Sequence, residues 1–343
     1  MIGQHRPWVV ILAGGDGRRL NGALVRGQRL DRPKQFCRLG GSESLLVETL
    51  RRAERITHRS RVIVVVREDH RRWWSDELAQ LPSQNVLAQA ENRGTAVAIL
   101  HALVHLLQRD TDPTLVLLPS DHAVEAEAVL AESIGRAARI AAESREHVVL
   151  LGVTPEHAET EYGWIMPERG HRAHARAVAR FVEKPPAAVA DAMFAGGALW
   201  NSFIFATTGH ALLELFEGGQ PRMFACYLES FVARGMDESA GSALFRALPS
   251  VDFNRDIVQA ASTRLRVLAV PPCGWTDLGT PLRLDHWLRR RCEQLRVDAA
   301  LVPQDQLIAS DEPRHSPQVS ERRYSSVDHQ AHDLTRRVLH AGN

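Results

Sequence analysis

The amino-acid sequence predicts an α/β fold in which a mainly parallel sheet is flanked by helices. Short β-branched runs alternate with longer amphipathic stretches through the first half of the chain, as in parallel βαβ units. Hydrophobic residues make up 44% and charged residues 24% of the 343 residues, as in a globular protein with a buried core. This composition excludes a disordered or fibrous protein.

The strands and helices of the first half follow from these runs. We predict strands over five short segments that are rich in aliphatic residues: Trp8–Ala13, Arg61–Val66, Asn85–Gln89, Thr114–Leu118 and His147–Val153. Apolar residues at three- and four-residue spacing predict helices over Ser44–Ile56, Asp69–Gln80, Thr95–Gln108 and Glu125–Glu143. Because each helix has an apolar face to bury, we expect helices to cover both faces of the sheet.

The pattern changes after Val153 to shorter strands mixed with helices. We predict strands near Gly163–Met166, Arg176–Glu183, Leu199–Ala206 and Leu265–Val270, and helices near His210–Phe216, Arg222–Arg234 and Pro281–Leu295. Beyond Val297 the periodicity fades into polar residues. The predicted organisation is one folded region over residues 1–297, with halves at 1–153 and 154–297, and a polar, flexible extension over 298–343.

Charge, apolar runs and cysteines narrow the functional class. The formal net charge of +1 gives no overall field that attracts nucleic acid, so no nucleic-acid partner is expected. Apolar runs such as Val62–Val66 are far shorter than the roughly 18 to 20 residues that span a bilayer, so no membrane partner is expected. The cysteines, Cys37, Cys226, Cys273 and Cys292, form no Cys-x-x-Cys pair. These features predict a reducing, cytoplasmic compartment.

A glycine-rich loop follows the first predicted strand. The loop residues in order are Ala13, Gly14, Gly15, Asp16, Gly17, Arg18 and Arg19. Little side-chain bulk lets backbone N–H groups approach a phosphate closely, and Arg19 can add a forked, charge-assisted contact. A tight strand-to-helix turn is the alternative interpretation of the glycines. A dinucleotide-binding fingerprint fits less well, because the loop lacks the third glycine of Gly-x-Gly-x-x-Gly.

Asp121 follows the predicted strand Thr114–Leu118. It is therefore expected at the carboxyl edge of the sheet, where open α/β folds bind their ligands. Mg²⁺ prefers hard oxygen ligands and commonly takes only one or two carboxylates together with water and substrate phosphates. We predict Asp121 to be a metal ligand. The alternative is an N-cap for the helix that begins near Glu125.

A series of short motifs identifies a family resemblance. Leu12–Leu20 (Leu-Ala-Gly-Gly-Asp-Gly-Arg-Arg-Leu) and Pro33–Phe36 (Pro-Lys-Gln-Phe) resemble the signature of the sugar-phosphate nucleotidyltransferases. The likeness continues in family order through Arg93–Ala96, Pro119–His122, Glu161–Ile165, Phe181–Pro185, Trp200–Ser202, Val251–Phe253 and Gly274–Gly279. Within this family the chain resembles the mannose-1-phosphate guanylyltransferase branch, over roughly residues 8–290.

The resemblance implies a Rossmann-like nucleotidyltransferase fold with an inserted sugar-binding part. Residues 1–153 would then be the nucleotide-binding half and residues 154–297 the sugar-binding half. The implied reaction joins a nucleoside triphosphate, GTP, to a sugar 1-phosphate, mannose 1-phosphate, with Mg²⁺ as cofactor. A homodimer is one oligomeric state that the sequence allows.

The resemblance also implies roles for individual residues. Catalytic roles fall to Arg19, Lys34 and Lys184, and nucleotide binding to Ala13, Gly14, Gly15, Asp16, Gly17, Arg19, Gly94 and Thr95. Binding of the sugar phosphate falls to Gly163, Glu183, Lys184 and Asn201, and metal binding to Asp121 and Asp277. On residue pattern alone, Lys184 is equally compatible with a solvated lysine at the end of a strand, and Asp277 with a turn aspartate.

Two departures from the family bear on specificity. The family's Pro-Leu after the first signature is replaced by Asn21–Leu24, and the segment up to Pro33 is rearranged. This departure changes residues next to the predicted phosphate-binding loop, so the details of phosphate binding can differ from those of the family. Phe203 stands where the family has a glycine, next to the predicted sugar contact Asn201. Its ring either narrows the sugar site, and so changes the sugar preference, or points into the core.

Several alternatives remain open in the sequence. A different pair of nucleotide and sugar phosphate, or a regulatory paralogue that binds nucleotide sugars without turnover, would share many of these motifs. A glycosyltransferase of the related fold is disfavoured, because Asp121-His-Ala does not provide an Asp-x-Asp metal motif. His101 and His105 are spaced like zinc ligands but have no third ligand, and we interpret them as a helix face. We interpret Trp73 and Trp74 as packing residues.

Overall fold

The computed structural model describes residues 6–17, 24–25, 28–29, 32–39, 41–171, 174–233 and 245–301. The strands are β1 (Trp8–Leu12), β2 (Leu24–Val25), β3 (Gln28–Arg29), β4 (Val62–Arg67), β5 (Val86–Gln89), β6 (Thr114–Pro119), β7 (Val148–Val153), β8 (Gly163–Pro167), β9 (Arg176–Glu183), β10 (Leu199–Thr208) and β11 (Leu265–Val270). The helices are α1 (Leu45–Glu54), α2 (Arg71–Trp74), α3 (Gly94–Leu107), α4 (Glu127–Ser144), α5 (Ala187–Ala195), α6 (Gly209–Gly219), α7 (Pro221–Ala233), α8 (Phe253–Asp256) and α9 (Pro281–Leu301).

One nine-stranded sheet organises the structure, in the order β5-β4-β1-β6-β10-β7-β11-β9-β8. The strands β5, β4, β1 and β6 pair in parallel, and so do β7 and β11. The strand β10 runs antiparallel to both β6 and β7 and joins the two parallel groups. At the far edge β9 is antiparallel to β11 and β8. Only β9 and β10 therefore oppose the other strands of this sheet, which is mixed, and the predicted α/β fold with helices flanking the sheet is confirmed.

The sheet is buried on both faces, as the sequence predicts. In β1, Val10 packs into one apolar cluster, whereas Val9 and Ile11 pack into a second cluster on the opposite face. The first cluster includes residues of α3, and the second includes residues of α1 and α4. Alternate side chains of a strand point to opposite faces, so helices on both sides exclude water from the sheet.

One predicted helix is shorter in the structure than the sequence indicates. Helical periodicity spans Asp69–Gln80, but α2 contains only Arg71–Trp74 and is followed by turns. Trp74 at the end of α2 and Leu78 in the turns are still buried, and the Leu78 amide donates to the Trp74 carbonyl. The spacing of apolar residues in this segment therefore predicts correctly which side chains are buried, although they are buried without a continuous α-helix.

The chain divides into two compact units, residues 1–287 and 288–343. The helix α9 begins in the first unit, and the chain beyond Leu301 lies outside the described residues. The expected boundary near residue 297 and the flexible extension over 298–343 stay predictions. Among the described residues, no helix is long and apolar enough to cross a membrane.

Candidate active site

The glycine-rich loop leaves β1 at the carboxyl edge of the sheet and is held by a neighbouring turn. The Gln35 side-chain amide donates to the carbonyl of Ala13 at 2.9 Å and to that of Gly15 at 2.8 Å. Gly17 has a φ of +63°, and a Cβ there would lie 2.7 Å from the Lys34 amide nitrogen. A glycine is therefore required for the loop to pass this turn.

The remaining loop residues have polar neighbours at the ends of β4 and β5. Asp16 forms an ion pair with Arg67 at the end of β4. A Cβ on Gly14 would lie 3.6 Å from the side-chain oxygen of Gln89, the last residue of β5. The predicted phosphate contact Arg19 lies outside the described residues, as does the rearranged segment apart from residues 24–25, 28–29 and 32.

Lys34 connects the two predicted metal ligands. Its side chain is only 7% exposed, and its ammonium lies 2.8 Å from Oδ2 of Asp121. The same ammonium donates to the main-chain oxygen of Asp277. Burial by itself would raise the pKa of the Asp121 carboxyl, but the charge and hydrogen bond of Lys34, together with smaller contributions from neighbouring groups, outweigh burial and hold this pKa below its usual value. Asp121 is therefore an ionised carboxylate at neutral pH.

Asp121 does not cap a helix. The N-cap of α4 is Ala126, whose side chain makes no capping hydrogen bond. Residues near Asp121 pair instead with the loop that carries Asp277, because Ala123 and Thr276 exchange two main-chain hydrogen bonds of 3.0 Å. Asp121 therefore lies at the sheet edge without a capping role, as the metal-ligand interpretation requires. The main-chain pair of Ala123 and Thr276 brings the loop of Asp277 to the same edge.

His122 does not hold the Asp121 carboxylate in place. Its Nε2 lies 3.7 Å from Oδ1 of Asp121, which is too long for a hydrogen bond. Burial lowers the pKa of His122 to about 4, so the ring is neutral at pH 7. The ring packs edge-on against Trp275.

The carboxylate of Asp277 is 13% exposed and is held through one oxygen. Oδ1 accepts hydrogen bonds from the Tyr162 hydroxyl at 2.9 Å and the Gly279 amide at 2.8 Å. Leu278, between the aspartate and this glycine, has a φ of +49°. A left-handed backbone at a leucine is strained, and such strain is often retained at functional sites.

The predicted sugar-binding residues come together between β8, β9 and β10. Gly163 is the register partner of Glu183. A Cβ on Gly163 would lie 2.5 Å from Oε2 of Glu183 and 3.2 Å from Cβ of Asn201, so only glycine leaves room here. Burial raises the pKa of Glu183 to about 7, although the charge of Lys184 opposes this shift.

Lys184 has the geometry of a side chain that reaches out of the sheet. It has a left-handed backbone with φ of +46°, its side chain is 50% exposed, and its ammonium lies 3.9 Å from Oε1 of Glu183. Its main-chain amide donates to the Tyr162 carbonyl at 3.2 Å. The ammonium is therefore free to approach an anionic substrate beside the buried carboxyl.

Gly94 and Thr95 begin α3 and are joined to the segment Val251–Phe253. A Cβ on Gly94 would lie 2.3 Å from the Val251 carbonyl oxygen, and φ of Gly94 is +83°. The Thr95 hydroxyl accepts a hydrogen bond from the Phe253 amide at 2.8 Å. Both residues thus have a structural partner, and their contact with the base or ribose stays a prediction.

The ring of Phe203 packs against the hydrophobic core. Phe203 has a φ of +60° and lies in an irregular stretch of β10 between Asn201 and Phe205. Its amide donates to the Asn201 side chain at 3.2 Å. Phe203 is partly buried and packs against the core, as one of the orientations that the sequence leaves open requires, and an effect of the ring on sugar preference stays a prediction.

The histidine pair lies on one face of α3 and the adjacent tryptophans are packing residues, as interpreted from the sequence. His101 bonds the Tyr227 hydroxyl at 2.6 Å, and His105 bonds the main-chain oxygen of His101 at 2.9 Å. Trp73 stacks with Phe36, and the Trp74 indole donates to the Arg67 carbonyl at 2.8 Å.

Sequence reasoning missed residues that support the site rather than line it. Gln35 and Tyr162 lie inside quoted motifs, so the motifs already marked their positions. Arg283 lies outside every motif, and its contacts with Asp277 and Tyr162 depend on the packing of α9. Gln89 ends β5 beside the glycine loop and has a buried Nε2 without a partner among the described residues.

Most of the sequence matches one protein family. The model of the Nucleotidyl transferase family matches residues 8–285. The chain belongs to the nucleotidyl transferase family. The match includes the glycine loop, Lys34, both aspartates and the residues around Glu183.

Several curated proteins and solved structures are similar to this family member. The chain is 33% identical over 279 residues to "Xanthan biosynthesis protein XanB" of Xanthomonas campestris and 30% identical over 291 residues to "Mannose-1-phosphate guanylyltransferase 2" of Escherichia coli O157:H7. Both alignments cover 79% of this chain, and they cover 57% and 58% of the relatives, so the chain spans a little over half of their length.

The crystal structure of "mannose-1-phosphate geranyltransferase" from Thermus thermophilus superposes with a TM-score of 0.70 at 29% identity. This superposition covers 80% of this chain and 76% of the Thermus chain. The structure of mannose-6-phosphate isomerase from Helicobacter pylori has a TM-score of 0.61 at 20% identity, covers 79% of this chain and 99% of that one, and shows the fold alone.

Proposed function

We propose that the protein transfers a guanylyl group from GTP to mannose 1-phosphate, giving GDP-mannose and pyrophosphate. The family supports nucleotidyl transfer, and relatives named mannose-1-phosphate guanylyltransferase support this pair of substrates. The nucleotide would bind the half formed by residues 1–153, and the sugar phosphate the half formed by residues 154–297.

The observation that carries the proposal is the position of the Lys34 ammonium, which contacts the Asp121 carboxylate and the Asp277 main chain at once. Asp121, from residues 1–153, and Asp277, from residues 154–297, therefore both contact the buried ammonium of Lys34, which lies next to the glycine-rich loop. A reaction between two phosphate substrates needs this kind of meeting point, because both anions must be brought together against their repulsion.

The donor set fits Mg²⁺. Asp121 and Asp277 supply hard carboxylate oxygens at the carboxyl edge of the sheet, and substrate phosphates and water would complete the coordination. Across the described parts of the chain, no group of three or more His, Cys, Asp or Glu side chains could hold a metal ion. A protein-enclosed zinc site is thus not formed by these residues. When bound, Mg²⁺ would neutralise phosphate charge and align the reacting groups.

The chain's own residues would orient an in-line attack of the sugar phosphate oxygen on the α-phosphorus. The nucleophile needs no general base, because a phosphate monoester with a second pKa of about 6 is already largely dianionic at pH 7. The glycine loop would present backbone N–H groups to the triphosphate, and Lys34 would add charge beside it. The exposed ammonium of Lys184 would hold the sugar phosphate, and Glu183 and Asn201 would face sugar hydroxyls, with Gly163 leaving them room.

A pyrophosphate-release assay tests the proposal. GTP, ATP, UTP and dTTP are each paired with mannose, glucose and manno-heptose 1-phosphates, and kcat/KM is compared. We expect GTP with mannose 1-phosphate to be best, since a guanine pocket leaves its own polar groups unpaired with other bases. A preference for dTTP or UTP with glucose 1-phosphate would contradict the guanylyl assignment alone. Binding without pyrophosphate release for every pair would indicate a regulatory paralogue.

A further inference from the structure

Arg283 contacts three residues of the candidate active site from the first turn of α9. Its Nη1 donates to Oε2 of Glu159 at 2.7 Å, and its Nε lies 3.1 Å from Oδ1 of Asp277. Its guanidinium carbon lies 4.6 Å from the centre of the Tyr162 ring. The Arg283 side chain is only 15% exposed. One buried cation thus joins the segment before β8 to the loop that carries a predicted metal ligand.

Among the described residues, the polar groups that contact the Asp277 carboxylate act on the same oxygen. The Tyr162 hydroxyl and the Gly279 amide donate to Oδ1, and the Arg283 guanidinium lies beside it. A carboxylate fixed through one oxygen has little freedom to rotate. The second oxygen, Oδ2, is therefore held in one direction.

Gly279 makes this arrangement sterically feasible. A Cβ at Gly279 would lie 2.4 Å from Oδ2 of Asp277 and 2.7 Å from Nη2 of Arg283. Any larger residue would push the carboxylate and the guanidinium apart. A glycine at position 279 is thus required by the positions of the Asp277 carboxylate and the Arg283 guanidinium.

We propose that Arg283 is a positioning residue that holds Oδ1 of Asp277, so that Oδ2 is presented to the divalent cation of the nucleotidyl transfer reaction. This inference rests on the proposed function. The guanidinium is paired with Glu159 at 2.7 Å, so its charge is largely neutralised. Arg283 therefore affects metal binding more by orienting the Asp277 carboxylate than by repelling the metal ion with its own positive charge.

The test separates orientation from charge with Arg283→Leu and Arg283→Lys. The lysine keeps the charge but cannot span Glu159 and Asp277 as the planar guanidinium does. We expect both variants to weaken Mn²⁺ binding about tenfold in the presence of a non-hydrolysable GTP analogue, as measured by electron paramagnetic resonance. We expect kcat to fall by about the same factor or more, with KM for GTP changed less than about threefold. Arg59→Leu, which removes an exposed ion pair with Glu54, is the matched control.

Two results would overturn the proposal. Tighter Mn²⁺ binding in Arg283→Leu with no change in Arg283→Lys would show that Arg283 acts only through its charge. Unchanged Mn²⁺ binding in both variants would show that the arginine has no role at the metal site.

Tyr162→Phe keeps the test decisive if Arg283→Leu does not fold. It removes the hydroxyl that donates to the same oxygen that Arg283 contacts as an ion pair, so Mn²⁺ binding should weaken in the same direction. If the unmodified protein itself shows no nucleotide-dependent Mn²⁺ binding, the proposed function fails. If the unmodified protein binds Mn²⁺ and the variants match it, only the role of Arg283 fails.

Discussion

The ammonium of Lys34 lies 2.8 Å from the carboxylate of Asp121 and also donates to the main chain of Asp277. This ammonium lies between the two predicted metal ligands. Burial raises the pKa of Asp121, but the charge and hydrogen bond of Lys34 are the main contributions among those that together hold it below the usual value. A divalent cation that binds at Asp121 must therefore compete with Lys34 until the triphosphate supplies another anionic partner for the lysine.

Replacement of this lysine should separate metal binding from turnover. In Lys34→Met we expect Mn²⁺ to bind about tenfold more tightly without nucleotide, equivalent to about 1.4 kcal/mol, because the competing charge is lost. We expect kcat to fall by roughly 100-fold, because counter-charge at the phosphates is lost as well. Paramagnetic resonance titration and the pyrophosphate assay measure the two effects. Weaker Mn²⁺ binding in the variant would show that Lys34 supports the metal site instead of competing with it.

The two aspartates should each be needed for turnover. Asp121→Asn and Asp277→Asn keep the side-chain shape but remove the charge, and we expect each to lower kcat by roughly 100-fold or more. Chelation of Mg²⁺ should abolish pyrophosphate release in the unmodified protein, and added Mg²⁺ should restore it. Retained thermal stability would show that each variant is folded. Full activity of both variants would remove the metal assignment.

Lys184 should act on the sugar phosphate and not on the nucleotide. Its exposed ammonium lies beside Glu183, in the predicted sugar-binding half. We expect Lys184→Ala to raise KM for mannose 1-phosphate at least tenfold, because a direct charge-assisted contact is removed. Calorimetric titration with GTP should give an unchanged affinity. A loss of GTP binding with an intact fold would assign Lys184 to the nucleotide.

The buried carboxyl of Glu183 should make stability depend on pH. Burial raises its pKa from 4.5 to about 7, with Lys184 opposing and Asp252 adding to the shift. Because the folded-state value is higher, the contribution of the uncharged carboxyl is complete below about pH 4.5 and is lost as the pH rises through about 7. The loss is on the order of 2 to 3 kcal/mol for a largely buried group.

Glu183→Gln provides the matched comparison for this pH dependence, because the amide keeps the shape and cannot ionise. Thermal melting between pH 5 and about pH 8 should show the unmodified protein losing stability relative to this variant. Parallel melting profiles across this range would mean that Glu183 does not titrate there.

The sequence by itself determined the α/β class, most strand positions and the order of the motifs. Apolar runs such as Val62–Val66 form strands because their burial is encoded locally, and β9 and β11 occur at the predicted residues. The family motifs also marked Lys34, Asp121 and Asp277 before their contacts were known. Strand positions follow from hydrophobic spacing over a few consecutive residues, and the site residues follow from short sequence motifs shared with the family.

Only the tertiary structure decided how these parts meet. Insertion of β10 between β6 and β7, the orientation of Phe203 and the convergence of Tyr162 and Arg283 on Asp277 depend on residues far apart in the chain. Local spacing carries no information on such contacts, because the free energy that selects them comes from packing and charge pairing in the folded chain. Arg283, which no motif contains, holds its position through contacts with Glu159, more than 100 residues away.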